Sequence, residues 1–128
     1  VAALAGLAVA TGSVVIVGHQ FALARCSAVP SSMTAAIEAG SSIPGFQLSH
    51  VRAVQSHDFQ RVYFISARVD APGLPDAIGT WTSNRLDPSE GLIFSADDLA
   101  RASTRWPSGR PSMSDDGAQL SRDCVAER

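Results

Sequence analysis

The first 24 residues of this chain contain no Asp, Glu, Lys or Arg, and in residues 1–17 (VAALAGLAVATGSVVIV) only Thr11 and Ser13 are polar. Such a run has no polar face to show to water, so it takes those residues out of any small soluble core. As a helix it spans about 25 Å, marginal for a bilayer. An uncleaved membrane anchor is the expectation. A cleaved secretory signal is the alternative, because Ala22-Leu23-Ala24 supplies a small-x-small pattern after the apolar core. The run exceeds the ~7–15 apolar residues usual in a signal, which favours the anchor. A buried soluble helix fits less well. A lipidated form is also disfavoured, since Arg25 directly before Cys26 suits a lipoprotein signal poorly. The sequence opens on Val1 and not on Met, so the chain is expected to extend upstream. The positive-inside rule weighs the charges on both flanks, and the flank expected upstream of Val1 is not part of this sequence, so the rule gives no orientation.

Residues 25–128 are then enough for one domain and too few for two. They hold all 10 basic residues, every one an Arg, against 12 acidic ones, a net charge of −2. No basic surface for DNA or RNA follows from that balance, and nucleic acid is not expected as a partner. The chain has 2 cysteines, Cys26 and Cys124, near the two ends of this part. In an oxidising compartment they most simply form one disulfide, contributing about 4–5 kcal/mol by closing a long loop. Two unrelated buried thiols are the alternative.

The periodicity predicts a short helix over 30–40, with Ser31 as N-cap, Gly40 as a left-handed stop, and Met33, Ala36 and Ile37 on one face. A strand over 46–54 follows, an outer one, its register broken by a bulge near Ser49 and His50. The strongest strand covers 61–70, with Tyr63, Ile65, Ala67 and Val69 on the buried face. His57 and Asp58 make the hairpin turn before it. A third strand covers 77–84, with Gly79, Trp81 and Ser83 opposite Ile78, Thr80 and Thr82, and a short fourth covers 92–94. Ser95 and Asp98 form a capping-box variant opening a helix to Thr104, with Leu99, Ala102 and Trp106 in line. Ser114 or Asp115 caps a last helix over 116–126 that turns Ala118 or Leu120 and Cys124 inward. The expected fold class is α+β: an N-terminal transmembrane or signal helix over 1–24, then an extracytoplasmic domain over 25–128. That domain is a four-stranded antiparallel sheet covered on one side by two or three short helices.

The segments 58–67 (DFQRVYFISA), 79–84 (GTWTSN), 91–96 (GLIFSA), 106–109 (WPSG) and 112–118 (SMSDDGA), together with Cys124, resemble a group of small exported or membrane-anchored proteins of GC-rich Gram-positive bacteria. The resemblance covers nearly all of residues 26–128. It implies a single N-terminal segment followed by one extracytoplasmic domain, and it implies no activity.

Little in the sequence points to chemistry. His50, His57 and Asp58 flank one strand, but a transition-metal site wants three or four ligands that meet, so a solvated turn is expected and no metal or cofactor. Asp97-Asp98 and Asp115-Asp116 each sit at a helix start, where carboxylates cap and favour the dipole. No G-x-S-x-G occurs, and serines are so numerous that some Ser-His proximity carries no weight. Trp106, followed by Pro107, reads as core. Trp81, in the polar company of Thr82, Ser83 and Asn84, reads as a possible binding surface. The expected function is a membrane-tethered extracytoplasmic interaction module. Its partners are the membrane, through 1–24, and an envelope protein or polymer. The alternatives are a secreted domain binding a small ligand or envelope polymer through Trp81, and a hydrolase using His57 or His50.

Overall fold

The computed structural model describes residues 25–88, 91–109 and 113–127. The anchor or signal reading concerns residues 1–24 and lies outside them; among the described residues no helix is long and apolar enough to cross a membrane.

Alternation in the central sequence dictates a sheet. Five strands form it: β1 (Ser27–Ala28), β2 (Gln47–Gln55), β3 (Tyr63–Asp70), β4 (Ala77–Ser83) and β5 (Ile93–Ser95). Each pairs antiparallel with the next in the chain. Three helices accompany them, α1 (Ser31–Ala39), α2 (Asp98–Ser103) and α3 (Asp116–Ala126). The domain is therefore α+β, with one strand more than expected. β1 escapes a sequence reading because two residues carry no alternation, and its presence moves β2 inward from the edge. The anticipated bulge is there: the β2–β3 register shifts between Ser49 and Arg52, and His50 adopts φ 54°.

Helices cover both faces of the sheet, not one. On one face Ala53, Ile65, Ala67, Val69 and Trp81 join Met33 and Ile37 of α1, Phe46 and Ala100 of α2 in the main core. Neighbouring residues point the other way, so Val54, Phe64, Ser66, Thr80 and Thr82 turn toward α3. Gly117 of α3 lies so close to Phe64 that a Cβ there would come within 2.9 Å of the ring. This second face reads as half polar in sequence, yet it is buried because its hydroxyls satisfy one another. Ser66 Oγ lies 2.8 Å from Thr80 Oγ1 and 2.7 Å from Ser121 Oγ. Among the described residues Thr82 Oγ1 alone is left buried without a partner.

Several helix ends differ from expectation. Pro30, not Ser31, precedes α1 and supplies no side-chain cap. Gly40 has φ −87°, so its value is space and not handedness: a Cβ there would collide with the Trp106 indole. That indole is half-buried and donates from Nε1 to the Ile37 carbonyl at 3.1 Å. Asp97, not Ser95, caps α2, accepting from the Ala100 amide at 2.8 Å. Ser95 closes β5 instead. α2 is only six residues long and turns Ala100 and Ser103 to the core, leaving Ala102 exposed and Trp106 beyond its end. α3 begins where expected, with Asp115 accepting from Gly117 N at 2.8 Å.

Asp97 also joins the two helix layers, because its Oδ2 accepts from Arg122 Nη1 of α3 at 2.8 Å. The same Arg122 nitrogen reaches the Ile78 carbonyl at 3.0 Å and Thr80 Oγ1 at 3.2 Å. Asp97→Ala removes a helix cap and leaves a mostly buried guanidinium without its carboxylate. We expect a loss of about 2 kcal/mol in urea unfolding, and a smaller one for Asp97→Asn, which keeps a capping oxygen.

Cys26 and Cys124 form a disulfide, with Cα atoms 5.9 Å apart across a sequence separation of 98. It ties β1 to α3 and closes almost the whole domain into a ring. A disulfide of this kind indicates an oxidising compartment.

Candidate functional site

The meander brings three parts of the chain to one end of the sheet. In the β2–β3–β4–β5 register Gln55 faces Tyr63, Tyr63 faces Ser83, and Ser83 faces Ile93. The 56–62 turn and the loop between β4 and β5 therefore lie side by side. β1 enters at this end too, since Ser27 pairs with Ala53 and Arg25 reaches the Gln55 carbonyl through Nη2 at 3.0 Å.

An open cleft of about 740 Å³ lies here, lined by Arg25, Gln55, His57, Gln60, Tyr63 and Leu86 among others. A second, of about 370 Å³, shares Gln60, Tyr63 and Leu86 and adds Arg61, Asn84, Arg85 and Asp87. Together they make one polar groove. Its floor is rigid for local reasons. Ser56 Oγ accepts from the Asp58 and Phe59 amides at 3.2 and 3.1 Å and donates to Asp115 Oδ2 at 2.7 Å. The hairpin turn is thus pinned to the start of α3. On the neighbouring loop Asn84 Oδ1 accepts from Leu92 N at 2.7 Å, and Ser83 Oγ donates to the Arg85 carbonyl at 2.6 Å.

Arg25 pairs with Asp116 Oδ2 at 3.3 Å. Burial is the largest single influence on the Asp116 carboxyl and raises it, but the hydrogen bond from Arg25, the side-chain hydrogen bond shared with Asp115 and the charges of Arg25 and His57 together outweigh it and hold the group below its ordinary value. A carboxyl depressed by folding contributes stability that is present above its unfolded pKa and is lost as pH falls through its folded pKa. In an NMR titration Arg25→Ala is expected to move the Asp116 midpoint upward. An unchanged midpoint would mean that the ion pair is not formed in solution.

The residues singled out in sequence are placed as follows. Trp81, Thr82 and Ser83 are 0–2% exposed and cannot form a stacking surface; of the polar neighbours that gave Trp81 a surface look, Thr82 belongs to the buried hydroxyl face and Ser83 turns its hydroxyl to the Arg85 carbonyl. Trp81 Nε1 donates to Thr104 Oγ1 at 3.1 Å, and its ring meets Phe46 edge-on at 6.5 Å. Only Asn84 of that group reaches the groove. His57 and Asp58 are exposed on the turn, with His57 at the groove. His50 sits near the other end of β2, exposed, with Nδ1 3.4 Å from Ser49 Oγ. The structure does not bring the two histidines together. Among the described residues no three His, Cys, Asp or Glu gather closely enough to hold a metal ion. The acidic pairs are occupied at their helix starts, Asp97 by Arg122, Asp98 by Arg101 and Asp116 by Arg25.

Sequence reasoning missed the groove itself. Arg25, Gln55, Gln60, Arg61 and Tyr63 share no motif, and only the pairing order of the strands collects them. Compared with models of protein families, with curated proteins and with solved structures, the chain matches none of them. A functional reading must therefore come from compartment and geometry.

Proposed function

We propose that this protein is an extracytoplasmic interaction module tethered to the membrane by residues 1–24, with the groove at the β2–β3 and β4–β5 end as its recognition surface. The observation that carries this reading is the Cys26–Cys124 disulfide, whose first cysteine lies two residues after the charge-free segment ends. A domain closed by a disulfide belongs in an oxidising space, and an adjoining apolar run of 17 residues is the kind of segment that delivers and holds a domain there. The groove is open and lined by arginine, glutamine, tyrosine and histidine side chains, which suits an extended polar partner such as an envelope protein segment or polymer.

The test is fractionation of cells carrying a C-terminally tagged chain, with protease added outside and a maleimide reagent applied before reduction. The module reading expects the protein in the membrane fraction, cut by external protease, with both thiols unlabelled. Recovery from the cytosol with two reactive thiols overturns it. The small-x-small tripeptide before Arg25 favours a second reading, a secreted binding domain. In that case the protein is found in the medium with Arg25 as its first residue.

A further inference from the structure

The described residues include two large hydrophobic side chains that stay mostly in solvent, Phe59 at 51% and Leu92 at 63% exposure. They come from different loops, yet both lie at the same end of the sheet. Phe59 is in the turn between β2 and β3, and Leu92 directly precedes β5, whose Ile93 faces Ser83 and, one strand further, Tyr63. This is also the end at which the chain enters the domain, because Arg25 bonds to the Gln55 carbonyl there.

Residues 18–24 are all that separates the apolar run from Arg25. Fully extended, seven residues reach only about 25 Å. If the run is held in a bilayer, the Arg25 end of the domain must stay within that distance of the surface, whatever the orientation of the rest. An aromatic and a leucine projecting from neighbouring loops have the make-up of an interfacial contact. Two such side chains would not hold a free domain on a membrane. A short tether raises their effective concentration at the surface and removes that requirement.

We propose that the end of the sheet carrying Phe59 and Leu92 rests on the bilayer surface, with both side chains in the headgroup region, so that the groove beside them opens along the membrane plane. This inference rests on the tethered reading of residues 1–24. Among the described residues at this end, Arg25, Arg61 and Arg85 are set against Asp58, Asp87 and Asp116. The contact is accordingly apolar and does not depend on anionic lipid.

The test uses the full chain reconstituted into phosphatidylcholine vesicles with brominated acyl chains near the headgroup, which quench tryptophan fluorescence at contact. Phe59→Trp and, independently, Leu92→Trp supply reporters, and Asp76→Trp reports from the opposite end of the sheet. Trp81 is fully buried, and the unsubstituted chain sets the background from Trp81 and Trp106. Flotation of the vesicles is measured in parallel. The expected result is that the chain floats and that the reporters at 59 and 92 are quenched at least twofold more than the one at 76. A chain that floats with equal quenching at all three positions overturns the orientation while leaving the tether intact. A chain that does not float overturns the tether, and the orientation with it.

Discussion

Trp81→Ala is expected to cost the domain about 3–5 kcal/mol, enough to leave it largely unfolded, because the change empties the largest fully buried site in the core. The indole lies among the odd-numbered strand residues and the first two helices, edge-on to Phe46. Gly79, two residues earlier on β4, leaves it room: a Cβ there would stand 2.8 Å from the ring. Trp81→Phe separates the contributions. It keeps most of the volume and removes the Nε1 bond to Thr104, whose hydroxyl still has the Ala100 carbonyl at 2.7 Å as acceptor. A loss of about 1–2 kcal/mol is expected for that variant. Urea unfolding followed by circular dichroism checks both. A Trp81→Ala protein with unchanged stability would mean the side chain is not in the core and would restore it as a surface residue.

Replacing both Cys26 and Cys124 with Ala is expected to lower stability by about 4–5 kcal/mol, since the bond closes a loop across a separation of 98 residues. Domains of this size have about 5–15 kcal/mol in total, so about a third or more of the margin rests on one covalent bond. The effect acts on the unfolded chain, which loses its ring and gains conformational freedom, and the folded contacts of β1 with α3 need change little. Unfolding of the native protein with and without reductant should show the same difference as the double variant. Equal midpoints in both comparisons would remove the disulfide as a source of stability. The same dependence links fold to compartment: in a reducing space the protein would have to fold without this contribution.

The parts of the fold that were legible in the sequence are those set by near neighbours. The strand at β3, the bulge at Ser49 and His50, the turn at 56–62 and the Asp115 cap of α3 all follow from alternation, turn chemistry or a side chain reaching an amide two residues on. The readings that failed involve distant partners. Ser66, Thr80 and Ser121 look like a solvent face until they are paired with one another. Gly40 looks like a left-handed stop until Trp106 is seen above it. The groove was not legible at all, because Arg25, Gln55, Arg61 and Tyr63 come from three segments whose only relation is the end of the sheet they share.

By itself, then, the sequence determined that a charge-free apolar segment precedes one α+β domain, that two cysteines stand at that domain's ends, and where most of its strands and helices begin. Those properties depend on residues within a few positions of one another and on composition. Only the tertiary structure decided which face of β4 the tryptophan occupies, that helices cover both faces of the sheet, and that Phe59, Leu92 and Arg25 emerge together. A strand's two faces are distinguished in sequence only by how polar they read, and hydroxyls that pair with each other remove that difference when they are buried.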